Sequence, residues 1–230
     1  MGVVCRHEEK FLLRYPQYVE LKQLLTPLMH RDLNAGADGS YTVRSLYFDR
    51  ADNRDYHEKV NGVDRRQKLR MRVYGETPDK VKLEIKKRRD DGIYKETVTI
   101  SRAEAERLLH GLPECEFLRE HQTEAASHAY ALLRSEGYRP VVVIDYDREA
   151  FTLPFYKIRV TFDRRVRAAR RIEEFMIPQC GMIPVLPADE IILEVKYNHM
   201  LPDFLRRALS SVPAQSMAVS KYQLSRELLG

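Results

Sequence analysis

The sequence has few cysteines, and none has the spacing of a metal site or a disulfide framework. Its three cysteines are Cys5, Cys115 and Cys180, which stand far apart without any CxxC pair. A zinc cluster and a disulfide scaffold both need closer or paired spacing, so neither is expected. The three side chains are predicted to be free thiols in a reducing compartment.

Long apolar runs are also absent. No segment approaches the roughly 18 apolar residues that a helix needs to cross a bilayer. The N-terminal residues 1–10 become charged too early for a secretory signal. These absences predict a cytoplasmic protein with no membrane span in this chain, and they are compatible with a separate membrane partner.

Internal repeats, low-complexity segments and Ser/Gly-rich linkers are missing as well. For a chain of 230 residues this favours a single domain over residues 1–230. There is no GxxxxGK[ST] or GxGxxG loop, which excludes a backbone cradle for nucleotide phosphates. Any phosphate must therefore be bound by side chains.

The charge balance points to an anionic partner only weakly. The net charge is +5, from 39 basic and 34 acidic residues. Because this excess is small, the positions of the charges are more informative about a binding partner than the net charge is.

Eight runs have the apolar and polar alternation or the β-branched content of strands. They cover residues 5–13, 41–49, 67–75, 80–89, 94–100, 141–151, 157–166 and 190–198. Short turn signals join several of them, which predicts hairpins and an antiparallel sheet.

Four segments have helical patterns, at residues 16–29, 101–111, 120–137 and 202–212, and the third can begin earlier. Ser101 and Glu104 have the spacing of a capping box, and Gly111 and Gly137 stand where helix C-caps belong.

The stretch KVKLEIKKRRD, residues 80–90, raises the question of where a charged strand face points. Lys82, Glu84 and Lys86 alternate with apolar residues, so the strand has one charged face and one apolar face. The simplest interpretation is a face in water. Several other strands repeat the pattern, with Lys10, Arg70, Arg72, Lys95, Arg159, Glu194 and Lys196 among the charged positions.

The helices favour a different interpretation, because their apolar stripes need an apolar sheet surface to cover. If they pack outside a closed sheet, the charged faces point into its interior. Buried unpaired cations are costly, and a bound polyanion would compensate them. The interspersed Glu8, Glu84 and Glu194 would be repelled by that anion unless a divalent metal lies between them.

The sequence resembles the VTC (vacuolar transporter chaperone) polyphosphate polymerase domain, a branch of the triphosphate tunnel metalloenzyme or CYTH-like superfamily. The resemblance rests on RHEEKFLL, GSYTVRSLYFD, NRDYHEKVNGVDRRQKLRMRVYG, KLEIKKR, GIYKE, DYDREAF, IRVTFDRRV, LEVKYN and SKYQLS, in that order over nearly the whole chain. It implies an α+β fold, an antiparallel eight-stranded β-barrel with helices packed outside.

The resemblance also implies roles for individual residues. The basic residues that would act on the transferring phosphates are Lys10, Arg70, Arg72, Lys82, Lys95, Arg148 and Arg159. Further substrate contacts would come from Arg44, Lys86, Tyr146, Lys196, Ser220 and Lys221. The resemblance implies Glu194 as a ligand of Mn²⁺ or Mg²⁺, and the charge pattern adds Glu8 and Glu84 as further candidate ligands. Two alternatives stay open: Glu194 could instead form an ion pair with Lys196 or Arg159, and Glu8 could instead orient Lys10.

The implied reaction moves the γ-phosphoryl group of ATP onto inorganic polyphosphate. A triphosphatase that uses water as acceptor and a non-catalytic polyphosphate-binding module remain open as alternatives. Nucleic-acid binding is not expected, because the charged faces lack interleaved aromatic residues. The sequence makes no prediction of oligomeric state. The basic run at residues 163–171 is either an exposed strand end or a collector of phosphate chains.

Overall fold

The computed structural model describes residues 7–75, 79–89, 92–110, 114–178, 181–216 and 219–230. Their contacts fall into two units, and each unit combines three separate stretches of chain. The first unit takes the described residues within Met1–Thr42, Tyr146–Val166 and Pro184–Ser220, and the second takes those within Val43–Asp145, Arg167–Ile183 and Lys221–Gly230. The single domain over residues 1–230 stays a prediction.

All eight predicted strands are present, with small shifts at their ends. The strands are β1 His7–Arg14, β2 His30–Arg31, β3 Ser40–Asp49, β4 Arg66–Tyr74, β5 Lys80–Arg89, β6 Gly92–Ser101, β7 Arg139–Leu153, β8 Ile158–Ala169, β9 Ile183–Pro184, β10 Glu190–Tyr197 and β11 Gln215–Ser216. The two-residue strands β2, β9 and β11 were not predicted. Cys5 and Cys180 lie outside the described residues, and Cys115 is a buried free thiol whose pKa is raised by that burial.

The helices are α1 Tyr15–Leu25, α2 Arg54–Val60, α3 Arg102–Arg107, α4 Glu124–Arg134, α5 Asp203–Ser210 and α6 Lys221–Leu229, with 3₁₀ turns at Glu116–His121 and Ile172–Met176. The patterns predicted α1, α3, α4 and α5 but not α2 or α6. None of the described helices has the length and apolar content to cross a membrane.

The predicted capping box begins α3. The Ser101 hydroxyl accepts a hydrogen bond from the Glu104 backbone N–H at 3.2 Å, and the Glu104 carboxylate accepts one from the Ser101 N–H at 2.7 Å. Gly137 follows α4 with φ of +69°, a conformation that suits glycine after a helix end. Gly111 lies outside the described residues.

In the first unit, helices cover the apolar face of the sheet. β1 pairs antiparallel with β10, and β10 pairs antiparallel with β8. The core on the apolar face contains Leu13, Phe162 and Leu193 from strands, Tyr18, Leu21 and Leu25 from α1, and Leu205 from α5. The α1 residues are spaced at i, i+3 and i+7, which places them on one helical stripe. The charged residues of these strands are therefore on the opposite face.

The second unit has the same arrangement. β3, β4, β5 and β6 pair antiparallel in sequence order. Their apolar face and the helices beside it form one core, which includes Leu69, Met71, Leu83, Ile85 and Val98 from strands, Ala105 from α3, and Ala129 and Leu132 from α4. The predicted division of each strand into an apolar and a charged face is confirmed here too.

The strand order agrees with the predicted fold class. It runs β11-β1-β10-β8-β7-β3 in the first unit and β8-β7-β3-β4-β5-β6 in the second. The α+β class, the antiparallel sheet and the helices on its apolar face are confirmed. The described residues contain the short strands β2, β9 and β11 in addition to the eight predicted strands.

We predict that Phe162→Ala lowers the free energy of unfolding by about 3–5 kcal/mol, because the ring is fully buried and the cavity left behind cannot collapse completely. The ring packs edge-on against Tyr18 and Phe151, with centroid separations of 5.2 Å and 6.1 Å. Urea denaturation measures the change. Phe155, which is 89% exposed, is the matched control, and Phe155→Ala should shift stability by less than about 0.5 kcal/mol. Equal shifts in the two variants would contradict the assignment of this core.

Candidate active site

Opposite charges alternate on one face of the sheet in the first unit. Glu8 lies opposite Lys196, and Lys10 lies opposite Glu194. Directly paired residues share a face, so these four side chains project to the same side. The Lys10 Nζ is 3.1 Å from the Glu8 carboxylate. The Lys196 ammonium contacts the Glu194 carboxylate and is 3.8 Å from that of Glu8. We call these residues, with Arg148 and Arg159, the Glu194 cluster.

Arg148 on β7 lies deep in this cluster. Its guanidinium donates two hydrogen bonds to Asp163, at 2.7 Å and 2.8 Å, and its Nη2 is 3.9 Å from Glu194. The guanidinium also lies 5.2 Å from the ring centroid of Tyr146. Arg148 is therefore fixed in place, since a bidentate pair restricts the planar group in two directions.

Arg159 on β8 extends the charged face. It lies directly opposite Lys196 in the register of β8 and β10. Its guanidinium pairs with the buried Asp32 and donates to the Tyr41 hydroxyl at 2.9 Å. The structure thus brings Arg159, Lys10, Arg148 and Lys196 together, as predicted for residues of one face.

Burial lowers the pKa of Lys196 to about 8, although the carboxylates of Glu194 and Glu8 act to raise it. The ammonium is charged at neutral pH and loses its proton more readily than an exposed lysine does. Binding of an additional anion beside it would favour the charged form.

Glu84 on β5 holds a second cluster together, in the second unit. Its carboxylate is 2.8 Å from the Arg70 Nη2 and 2.5 Å from the Lys95 Nζ, and the Arg72 Nη1 is 4.0 Å away. Burial acts to raise the pKa of Glu84, but Arg70 and Arg72 outweigh it and lower the pKa to about 2. Glu84 is thus an ionised counter-ion for several cations. We call these residues, with Lys68, Lys82, Lys86 and Tyr47, the Glu84 cluster.

A row of lysines crosses the strands beside Glu84. Lys86 on β5 lies directly opposite both Lys68 on β4 and Lys95 on β6. Like charges in such positions are destabilising. Lys95 pairs with Glu84, and Lys68 lies 4.5 Å from the ring centroid of Tyr222. The row is still rich in positive charge, which favours an anion as an additional partner.

The cationic face continues toward the other end of β5. Lys82 lies directly opposite Arg72, and its Nζ is 5.2 Å from the ring centroid of Tyr74. The Arg72 Nε donates to the Ser45 hydroxyl at 3.2 Å. The predicted Lys82, Lys86, Lys95, Arg70 and Arg72 therefore all belong to one face.

Tyr47 belongs to this face too, although the sequence did not single it out. It lies opposite Arg70 in the register of β3 and β4, and its hydroxyl accepts a hydrogen bond from the Arg70 Nη1 at 3.0 Å. Burial acts to raise the pKa of Tyr47, but the charges of Arg70 and Arg72 outweigh it and lower the pKa to about 7. Its ring stacks on that of Tyr222, whose hydroxyl donates to the buried Asp49.

Much of the charge on both faces is buried. The exposed fractions are 1% for Glu84, 8% for Arg72, 8% for Arg148 and 6% for Glu194. A face that simply points into water does not fit these values. Lys82 and Lys95 are exposed, so an anion can reach the Glu84 cluster from solvent.

Arg44, implied as a substrate contact, lies on the other face of β3. Its neighbour Ser45 is the residue that faces Arg72. The Arg44 guanidinium donates to Asp145 at 2.9 Å and 3.0 Å and to backbone carbonyls of residues 174–178. The structure places Arg44 in a buried structural ion pair, because its neighbour in sequence takes the charged face. We therefore leave it out of the candidate site.

The basic run at residues 163–171 is largely paired. It extends β8 to Ala169 rather than forming a loop. The pairs are Arg164 with Glu149, Arg165 with Asp147, and Arg167 with Asp145. This pairing does not support a collector of phosphate chains at the run.

Ser220 and Lys221 lie at the start of α6, Ser220 just before it and Lys221 as its first residue. Both residues therefore lie at a helix N-terminus, where backbone N–H groups favour the binding of anions. Ser220 belongs to the first unit and Lys221 to the second. Their substrate contacts stay predictions.

The carboxylates differ in how well they suit a divalent metal. Glu8 and Glu194 converge on one ammonium, that of Lys196, so both already point to a common cation. Carboxylate oxygens are the ligands that Mg²⁺ and Mn²⁺ prefer. Glu84 does not fit, since arginines and a lysine surround it. Among the described residues, no three His, Cys, Asp or Glu side chains converge.

Comparison with known proteins identifies the family. The sequence matches the VTC domain over residues 5–229. The chain belongs to the VTC-domain family. The match covers nearly the whole sequence, and it confirms the resemblance that the motifs indicated. Comparison with curated proteins found no match.

Solved structures similar to this VTC domain have the triphosphate tunnel fold. HpAC1 from Hippeastrum, a candidate adenylyl cyclase with a dominant triphosphatase activity, is 13% identical with a TM-score of 0.57, and 96% of each chain is covered. The PH1819 protein from Pyrococcus horikoshii is 14% identical with a TM-score of 0.51, covering 97% of this chain and 99% of that one. At these identities the likeness shows the fold alone.

The sequence did not predict the roles of Tyr47 and Asp163 in the site of this VTC domain. Tyr47 is two residues from Ser45 on β3, so the two side chains lie on the same face. The sequence could have placed Tyr47 beside Arg70 only if the register of β3 and β4 had been known. Asp163 lies four residues from Arg159 on β8 and so shares its face, but its ion pair with Arg148 depends on the contact between β7 and β8. Both roles depend on pairing between strands.

We predict that Glu84→Gln lowers the free energy of unfolding at pH 7 by about 3–5 kcal/mol, because buried cations lose their counter-ion. In the wild-type protein, the folded-state pKa of Glu84 is depressed from 4.5 to about 2. Its contribution is therefore fully present above about pH 4.5 and is lost as the pH falls toward 2. The variant should lack this part of the acid dependence.

Denaturation at pH 7 and pH 3 measures this effect. Glu106→Gln is the matched control, since Glu106 forms an exposed pair with Arg102 and should contribute less than about 1 kcal/mol. If Glu84→Gln is as stable as the control at pH 7, Glu84 is not the counter-ion of this cluster.

Proposed function

We propose that this VTC domain is a metal-dependent polyphosphate polymerase, which transfers the γ-phosphoryl group of ATP onto inorganic polyphosphate. The observation that carries the proposal is the VTC match over residues 5–229, because that family resemblance implies the reaction. The two buried, cation-rich clusters support it, since they have the chemistry to bind a phosphate chain through side chains alone. Cytoplasmic location and the absence of a nucleic-acid partner stay predictions.

Each cluster offers phosphate contacts of a particular kind. In the Glu194 cluster, Lys10 and Lys196 offer ammonium groups, and Arg148 offers a guanidinium already held by Asp163. In the Glu84 cluster, Arg70 and Arg72 offer planar donors that suit phosphate oxygens. At an effective dielectric of about 20, one contact at about 4 Å contributes on the order of 4 kcal/mol before desolvation.

Glu194 and Glu8 would hold the divalent metal, Mg²⁺ or Mn²⁺, with phosphate oxygens completing its ligands. When bound, the metal supplies neutralising charge to the oxygens of the transferring phosphoryl group. The Lys196 ammonium, which contacts both carboxylates, would be displaced toward the phosphates.

In this reaction the protein's residues position the substrates and stabilise the transition state, and none of them acts as the nucleophile. Phosphoryl transfer needs in-line alignment and compensation of charge on the equatorial oxygens. The terminal phosphate of the acceptor chain would be the nucleophile, so no Ser, Cys or His nucleophile is needed. Fixed guanidinium groups such as that of Arg148 do not reorganise as the charge develops, which favours the transition state.

Hydrolysis is the second candidate, because the same side chains would serve a triphosphatase with water as acceptor. HpAC1, which has a similar fold, has a dominant triphosphatase activity. A polyphosphate-binding module without turnover is the third.

The test is incubation of the purified protein with γ-labelled ATP, Mn²⁺ and a short polyphosphate primer, followed by gel separation. We expect label in long chains. Label only in free phosphate would contradict the polymerase assignment and support a triphosphatase. Label that stays in ATP would contradict both enzymes and support a polyphosphate-binding module.

We predict that Glu194→Ala lowers turnover of labelled ATP by at least about 100-fold, because a metal ligand and the partner of Lys196 are lost together. Polyphosphate binding should be retained, since the cations remain. Glu9→Ala is the matched control: Glu9 lies on the opposite face of β1 and accepts a hydrogen bond from Tyr197. Full turnover in Glu194→Ala would overturn the metal assignment.

We also predict that affinity for tripolyphosphate falls as the pH rises from 7 to 9, because Lys196 loses its charge near pH 8. Lys196→Arg should remove this fall, since arginine keeps its charge over the whole range. Comparing the two proteins by titration calorimetry under identical conditions cancels the titration of the ligand itself. Parallel pH profiles in wild type and variant would assign the effect to another group.

A further inference from the structure

A cavity of about 570 Å³ lies in the second unit, at the start of β4 and the end of β5, with α2 and the segment before β7 as its other walls. It is lined by the cations Arg54, Arg65, Arg66, Lys87, Arg88 and Arg89. Three carboxylates also line it, those of Asp55, Glu58 and Glu136. Its volume is in the range of small-molecule sites.

The positive charge in this cavity is only partly compensated by the protein. Arg54 pairs with Glu58 at 2.8 Å. Arg66 lies directly opposite Arg88 in the register of β4 and β5, an arrangement of like charges that is destabilising by itself. Arg88 and Arg89 make no ion pair with any described residue. Lys87 pairs with Glu96 at 2.5 Å. Within the described part of the chain, Arg88 and Arg89 therefore line the cavity without a carboxylate partner.

A buried carboxyl group lines the same cavity. Asp55 on α2 is 2% exposed, and its Oδ1 accepts a hydrogen bond from the Tyr138 hydroxyl at 2.7 Å. Its Oδ2 has no hydrogen-bond partner among the described residues. A buried oxygen without a partner is unfavourable, and such groups are rare in folded proteins. A ligand in the cavity could supply the missing partner.

We propose that this cavity is a second anion site that binds a phosphate group or a short oligophosphate, with Arg66 and Arg88 as counter-charges and the Asp55 carboxyl group donating a hydrogen bond to it. The site adjoins the Glu84 cluster, since Arg66 and Arg88 are each two residues from the cluster's Lys68 and Lys86, but it is separate from the cations that Glu84 itself holds. Arg66 and Arg70 are four residues apart on β4, or roughly 13 Å at the rise of a strand. No role in the proposed phosphoryl transfer uses Asp55, Arg66 or Arg88.

Binding at this site is coupled to a proton on Asp55. Burial raises the pKa of Asp55 to about 7, and the hydrogen bond from Tyr138 opposes that effect. The other groups that face Asp55 are Asp49 on β3, Glu58 on α2, Lys68 on β4 and Tyr222 on α6, besides the cations of the cavity. Protonated Asp55 can donate to a phosphate oxygen, whereas ionised Asp55 repels it. Affinity at this site therefore falls as the pH rises through 7.

Equilibrium dialysis with labelled sulfate tests the site, since sulfate is a tetrahedral dianion that does not titrate between pH 5.5 and 8.5. The wild-type protein should bind sulfate at this site as well as at the two phosphate-binding clusters, and the class of sulfate bound at this site should weaken above pH 7. Arg88→Ala should weaken that class about tenfold at every pH, because a charge-assisted contact is lost. Asp55→Asn should keep its affinity up to pH 8.5, because the amide donates at every pH.

Arg102→Ala is the matched control, since it removes an exposed arginine of the same unit away from the cavity. Thermal unfolding of each variant establishes that it is folded. Repeating the dialysis with pyrophosphate should give tighter binding and the same order of variants. Unchanged sulfate binding in Arg88→Ala, or a pH-dependent loss in Asp55→Asn equal to that of the wild type, would overturn the proposal. Turnover of labelled ATP is measured separately, so failure of the polymerase assignment leaves this test intact.

Discussion

Buried carboxylates that hold clustered cations are the interaction on which this structure depends. Glu84 alone contacts Arg70, Arg72 and Lys95, and Glu194 contacts Lys196 and Arg148. Removing a buried cation from water costs several kcal/mol even after relaxation, so each cluster needs a counter-ion inside the protein. With these carboxylates present, the sheet can keep one face apolar for its helices and the other face cationic.

The same pairing prepares the clusters for an anion. A phosphate chain carries more charge than a carboxylate and more oxygens to accept from Arg and Lys, so it can share or replace the internal partners. The cations need not be gathered when the ligand arrives, because Glu84 and Asp163 already fix their positions. Preorganised charge of this kind is what phosphoryl transfer requires, since the chemistry needs little more than alignment and neutralisation.

The period-two alternation in the sequence predicted the strands and the face on which each charge lies, because strand geometry makes that periodicity local. It could not predict which residues face each other. Arg44 was assigned to the site, yet it pairs with Asp145 on the other side of β3, whereas Tyr47 was missed although it contacts Arg70. The sequence pattern also did not predict helix α6, because its buried Tyr222 is hydrogen-bonded to Asp49, a partner that is distant in sequence. Contacts between distant segments decide these positions.

The position of Lys196 bears on how a divalent metal would enter. Its ammonium contacts Glu8 and Glu194 together, so the protein satisfies these carboxylates with its own cation. If Glu8 and Glu194 held a divalent metal, the Lys196 ammonium would lose both of its carboxylate partners and could contact a bound phosphate instead. Because burial lowers the pKa of Lys196 to about 8, losing both carboxylates without gaining an anion would favour its neutral form. Metal and phosphate are therefore expected to bind cooperatively. The metal would offset the repulsion between the carboxylates and the phosphate, and the phosphate would provide a partner for the Lys196 ammonium.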